Sequence, residues 1–150
     1  MTSPVDAKIY YNDGIALYSS GRLEEAISAY EKAIQLNSDK ADAHYNKGNA
    51  LAALGRYQAA VIAYDKAIKL SPDDADIYSA KGEALSAMGK NDEAIEAYNL
   101  ASKLDPDFVV TLTLQLVSIS TSYTPSFQGN LNIHTIKFAI SFFFGIDKLR

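Results

Sequence analysis

Three stretches of this chain repeat one phrase at a spacing of 34 residues: LEEAISAYEKAIQL from Leu23, YQAAVIAYDKAIKL from Tyr57 and NDEAIEAYNLASKL from Asn91. Ala, Tyr and Ala keep their places while the charges around them drift. A gapless period of this length marks stacked supersecondary units and constrains the fold before any local propensity does. The frame sets units at 7–40, 41–74 and 75–108, preceded by a short N-terminus over 1–6 expected to be flexible. A glycine divides each unit, at Gly21, Gly55 and Gly89, where a left-handed residue can end one helix. Turn chemistry closes each unit in NSDK, SPDD and DPDF, and Pro72 and Pro106 cannot continue the helix before them. Each unit therefore reads as two helices, A then B, joined by a tight turn.

The invariant letters fall on single helical faces. In helix A, Tyr10, Gly14 and Leu17 sit at i, i+4 and i+7, and the same positions hold His44, Gly48, Leu51 and Tyr78, Gly82, Leu85. In helix B the stripe is Ala26, Tyr30, Ala33, then Ala60, Tyr64, Ala67, then Ala94, Tyr98, Ala101. Small residues let two helix axes approach, and a bulky one between them fills the groove. Glycine inside a helix costs about 1 kcal/mol relative to alanine. Three such glycines at one repeat position point to a steric requirement.

This pattern resembles the tetratricopeptide repeat: an aromatic or large residue, a small one four on, a large one three later, Ala–aromatic–Ala in helix B, and Pro near the end. AHYNKGNALAALGRYQAAVIAYDKAIKLSPDD matches it almost throughout. Two departures stand out. Asp13, Lys47 and Lys81 occupy a position where the family often has Leu, and Ser38 replaces the terminal Pro of the first unit. The resemblance implies an all-α fold, a right-handed superhelix of three helix-turn-helix repeats whose A helices line a concave groove. One such helix pair cannot bury its own apolar face, so neighbours supply the core.

The resemblance further implies a protein-interaction module, an adaptor or scaffold, that takes an extended peptide or partner protein in that groove. Its groove-facing positions here are Lys8, Tyr11, Asn12 and Ile15, then Asp42, Tyr45, Asn46 and Asn49, then Asp76, Ser79, Ala80 and Glu83. Asn can grip a peptide backbone with both a donor and an acceptor, and Tyr offers apolar area with a polar tip. Acidic residues gather toward the third unit, so the expected partner segment is neutral or basic. Some family members clamp the C-terminal carboxylate of heat-shock chaperones with Lys, Asn and Arg. Of those clamp positions this chain matches only Asn46, with Tyr11, Ile15, Asp76 and Ala80 at the others.

Chemistry finds little foothold. The chain has no cysteine, which removes thiolate metal sites, disulfides and cysteine nucleophiles. His44 occupies a packing position, and His134 has no second ligand at helical spacing. GEALSAMGKN, from Gly82, has six residues between its glycines where a phosphate loop has four. Neither catalytic residues nor a cofactor or metal site is expected. With a net charge of -4, the chain also lacks the clustered cations that bind phosphate backbones, so no nucleic acid is expected. The opening MTSPVDAKIYYND carries no secretory pattern, and a cytoplasmic location is expected.

After Phe108 the text changes. Residues 109–150 hold five of the six Phe, and Lys137, Lys148 and Arg150 against Asp147 make this tail net +2 and leave -6 for the repeats. Extending the frame puts Leu116 and Gln128 where small residues are needed, so no fourth repeat is expected. Val110–Leu116 and Ile136–Phe142 alternate as strands do, around the turn-like YTPSFQGN. The alternative is a helix over Phe108–Ser120 capping the third repeat. The apolar run FAISFFFGI is nine residues, short of the about 20 a spanning helix needs, but it supports an alternative function as a membrane-associated assembly factor.

Overall fold

The computed structural model describes residues 4–106, and within them the chain forms six helices. They are α1 (Pro4–Ser19), α2 (Leu23–Leu36), α3 (Ala41–Ala53), α4 (Tyr57–Leu70), α5 (Ala75–Ala87) and α6 (Asn91–Leu104). The capping helix and hairpin considered for the tail, and His134, lie outside the described residues.

Each helix ends where the sequence supplies a reason. Gly55 takes φ 73°, a left-handed conformation that costs a residue with a Cβ roughly 1–2 kcal/mol. The N–H of Gly55 bonds the carbonyl of Ala52 at 2.8 Å, and that of Arg56 reaches the carbonyl of Leu51 at 2.9 Å. These two bonds close a Schellman turn and satisfy carbonyls that the last turn of α3 would leave orphaned. Gly89 closes α5 in the same way, with Gly89 bonding Ser86 at 2.9 Å and Lys90 bonding Leu85 at 3.0 Å. At the other junction Asp74 caps α5, its carboxylate accepting from the N–H of Asp76 at 3.1 Å.

Helix α1 begins at Pro4, so residues 4–6 form its first turn. Pro4 stands at the first helical position, where its fixed φ fits and no N–H is needed, and Asp6 lies in the positive first turn.

Within each repeat α1 packs on α2, α3 on α4 and α5 on α6; between repeats α2 meets α3, α4 meets α5, and the A helices α1, α3 and α5 touch in series. The core is the small-and-aromatic stripe. Ala26, Ala60, Ala67 and Ala101 are fully buried, and Tyr30 and Tyr64 almost so. The helical glycines show why they are glycines. A Cβ on Gly48 would stand 2.5 Å from Cε1 of Tyr64, whose ring lies against the α3 backbone. Gly14 and Tyr30 repeat the arrangement at 2.5 Å, and Gly82 and Tyr98 at 2.8 Å.

Charges that drift along the sequence turn out to be paired across repeats. Lys47 on α3 meets Glu31 on α2 at 2.7 Å, and Lys81 on α5 meets Asp65 on α4 at 2.6 Å. Both pairs occupy the same repeat positions. The position where the family often places Leu therefore carries an inter-repeat ion pair in the second and third units.

Candidate functional site

The A helices place the expected groove residues in two adjoining settings, and the structure treats them differently. Between α1 and α3 the surface is filled by the protein's own side chains. Tyr11 lies tilted 52° to Tyr30 with ring centroids 6.1 Å apart. Its hydroxyl accepts from Nδ2 of Asn46 at 3.0 Å, and Nζ of Lys40 sits 3.5 Å from its ring centroid. Burial raises the Tyr11 phenol, Asp42 adds to that, and the Asn46 bond works against it. Lys8, Asn12, Ile15 and Asp42 are exposed beside this pair.

Between α3 and α5 a cavity of about 520 Å³ remains open. Six expected residues, Tyr45, Asn49, Asp76, Ser79, Ala80 and Glu83, line it. The Tyr45 ring lies 6.0 Å from that of Tyr64 at 45°, and the Tyr64 hydroxyl donates to Oδ1 of Asn49 at 2.8 Å. Ser79 lines the cavity while largely buried, a small residue where the first two repeats have Tyr. Tyr11, Asn12, Ile15, Asp42 and Asn46 lie outside this cavity.

The field in the cavity is negative. Burial raises the Tyr45 phenol, a hydrogen bond with Asn49 opposes the rise, and Asp76, Asp74 and Glu83 add to it. Tyr64 is pushed up strongly by burial, with Tyr45, Glu83 and Tyr18 contributing. Neither Asp76 nor Glu83 forms an ion pair among the described residues. Both carboxylates are exposed at the cavity wall.

Three tyrosines of this cavity are not among the expected groove residues. Tyr64 was assigned to the core stripe, yet its hydroxyl end reaches the lining; Tyr18 and Tyr57 complete the wall from α1 and α4. Their signal was the tyrosine content itself, 10 of 150 residues, concentrated in the repeats.

A second cavity, of about 640 Å³, opens between α2, α3 and α4 and is lined by Ile34, Ile62, His44, Lys47, Arg56 and Lys66 among others. It is larger, but its charges are mostly spent internally. Lys47 is held by Glu31, and Arg56 grips Glu24 through two bonds of 3.0 and 2.6 Å. His44 is buried, its Nε2–H donating to the carbonyl of Ser38 at 3.2 Å. Among the described residues no group of His, Asp or Glu is arranged to hold a metal ion.

Stacked helix pairs that bury a small-residue seam and leave one helix face open as a groove define a helical repeat module, a class that presents a surface. Family models described as tetratricopeptide repeat match residues 11–75 and 51–110. This chain belongs to the tetratricopeptide repeat family. That family is in general a non-catalytic protein-interaction fold.

Among solved structures, a crystal structure of MamA is 30% identical over 71% of this chain and 63% of its own, with a TM-score of 0.67. The chain thus spans less than two thirds of that protein. The first TPR of Spaghetti (RPAP3) bound to HSP90 peptide SRMEEVD is 24% identical, covering 81% of this chain and 97% of its own at a TM-score of 0.71. The Arabidopsis OM64 TPR domain is 24% identical, covering 69% and 86% at 0.68. The last two show the shared fold. No curated protein sequence matches the chain.

Proposed function

We propose that this protein is a non-catalytic adaptor that takes an extended segment of a partner protein along the face of α1, α3 and α5. The observation that carries this reading is the open cavity between α3 and α5, where Tyr45, Asn49, Asp76 and Glu83 meet on a face the neighbouring repeats leave uncovered. After accepting from Tyr64 and bonding the Tyr45 phenol, Asn49 keeps one amide N–H to offer a backbone. Asn46 keeps its carbonyl oxygen and one N–H after bonding Tyr11.

The structural neighbour bound to SRMEEVD shows that such a fold can hold a linear peptide, but an acidic terminus suits this groove poorly. Its carboxylates would meet Asp76 and Glu83, and like charges across an interface oppose docking. The partner segment is instead neutral or basic.

Affinity capture from a lysate tests the reading, with the wild type beside Asn46→Ala/Asn49→Ala and Ala53→Trp. The first pair removes the backbone grip and also two internal hydrogen bonds, so its melting temperature is measured alongside. Ala53 is exposed and lines the cavity, and a Trp there blocks it without touching those bonds. Both variants should lose the captured partner while remaining folded. Capture unchanged in both places binding elsewhere.

A further inference from the structure

The two neighbouring sites on the A-helix face are the same site, one repeat apart, with opposite contents. In the first, Tyr11 has its ring face occupied by Lys40, at 3.5 Å, and its hydroxyl held by Asn46. Thirty-four residues on, Tyr45 takes the place of Tyr11, Asp74 stands where Lys40 stood, and Ala80 where Asn46 stood. Asn49 becomes Glu83, while Asp42 becomes Asp76 and keeps its charge. The cation that covers the first ring is replaced by an acid, and the side chain that fills the first gap is reduced to a methyl. The result is the cavity of about 520 Å³ beside Tyr45.

Resting on the groove reading above, we propose that the face of Tyr45 receives one Lys or Arg side chain of the bound partner, with Asp76 and Glu83 as its counter-charges. The Lys40–Tyr11 contact shows the geometry within the same molecule: an ammonium accommodated against a tyrosine ring of this orientation. Aromatic faces attract cations through their quadrupole, more strongly when water is partly excluded. In the second site the attraction is reinforced, because Asp74, Asp76 and Glu83 all act on Tyr45 and no described basic side chain answers them. A neutral side chain would gain nothing from those carboxylates, and an acidic one would be repelled by them. The pocket therefore selects for charge at one position of the partner and leaves the rest of the segment to backbone contacts.

Peptides selected from a random 12-residue phage library against the full chain provide the probe. The expected result is a Lys or Arg fixed at one position of the selected peptides. Replacing that Arg by citrulline, or Lys by norleucine, should weaken binding to the wild type at least about 10-fold and remain within about 2-fold for Asp76→Asn/Glu83→Gln. Asp74→Lys/Ala80→Asn rebuilds the first site in the second, with residues that the preceding repeat already carries. It should lose at least about 10-fold of affinity while remaining folded, with only the modest drop in melting temperature that loss of the Asp74 cap on α5 brings.

Peptides that bind, are lost with Ala53→Trp, and show no fixed cation overturn this inference and leave the groove reading standing. Binding that needs the cation but is unchanged in both charge variants also overturns it. Binding indifferent to Ala53→Trp, or no selected peptide at all, removes the groove reading together with the pocket.

Discussion

At the residue scale the fold turns on one contact made three times, a tyrosine ring lying against a glycine. Tyr64 is almost wholly buried, so its ring has nowhere to go if Gly48 gains a methyl. Gly48→Ala should improve helix propensity yet destabilise the protein by about 1–3 kcal/mol through overpacking. Urea unfolding measures this, and Gly82→Ala should cost less because Tyr98 is only half-buried and its ring stands farther off, at 2.8 Å. The sequence announced a steric need at these glycines without naming its source. The partner ring is 16 residues away and belongs to the other helix, a tertiary fact that periodicity does not carry. His44 makes a second prediction. Burial lowers its basicity, an effect opposed by the Ser38 bond and aided by Lys66 and Lys47. Its folded pKa lies below the unfolded 6.5, so the unfolded chain protonates first as the pH falls. Stability should be full above pH 7, decline as the pH drops through 6.5, and level off below the folded value. Thermal melts from pH 7.5 to 5.5 should show this decline in the wild type and a smaller one in His44→Gln.

At the scale of elements the helices and their order were legible, and the ties between repeats were only partly so. Helix ends followed glycine and turn chemistry closely, whereas the start of α1 reached back to Pro4 because proline and Asp6 favour a first turn. The ion pairs Lys47–Glu31 and Lys81–Asp65 were written in the sequence as opposite charges 16 residues apart, repeated at 34. They look like drift until the α2–α3 and α4–α5 contacts are known. Both lysines are about one quarter exposed and their acids about half, so each pair contributes modestly, within about 0.2–1 kcal/mol. A charge swap should show it: Lys47→Glu and Glu31→Lys each lower the melting temperature, and the double variant recovers part of the loss at low salt. Additive losses in the double variant would mean the pair is merely close.

At the scale of the whole molecule, burial follows position in the stack. Ile27 and Val61 are each 8% exposed, while Ile95 at the same repeat position is 52% exposed. The first two are closed over by the helix A of the following repeat, and among the described residues no helix follows α6. Stability in such a stack is a sum of repeat and nearest-neighbour contributions, so the interior repeat should be the most protected. Native-state hydrogen exchange should find α3 and α4 slowest and α6 faster. The cavity follows the same logic of position: Tyr45, Asn49, Asp76 and Glu83 meet there from their places in helix A, but the bonds they make are not carried by those places. That Asn46 is engaged by Tyr11, and that Asn49 and Tyr64 share a bond, depends on distances between repeats.

The most direct test of the account maps where a bound peptide rests. Backbone and tyrosine-ring NMR shifts of the labelled full chain, titrated with a phage-selected peptide, should move at Tyr45, Asn49, Ser79 and Glu83 on the α3–α5 face. Shifts gathered instead around Ile34, Ile62 and Lys66, in the larger cavity between α2, α3 and α4, would contradict it.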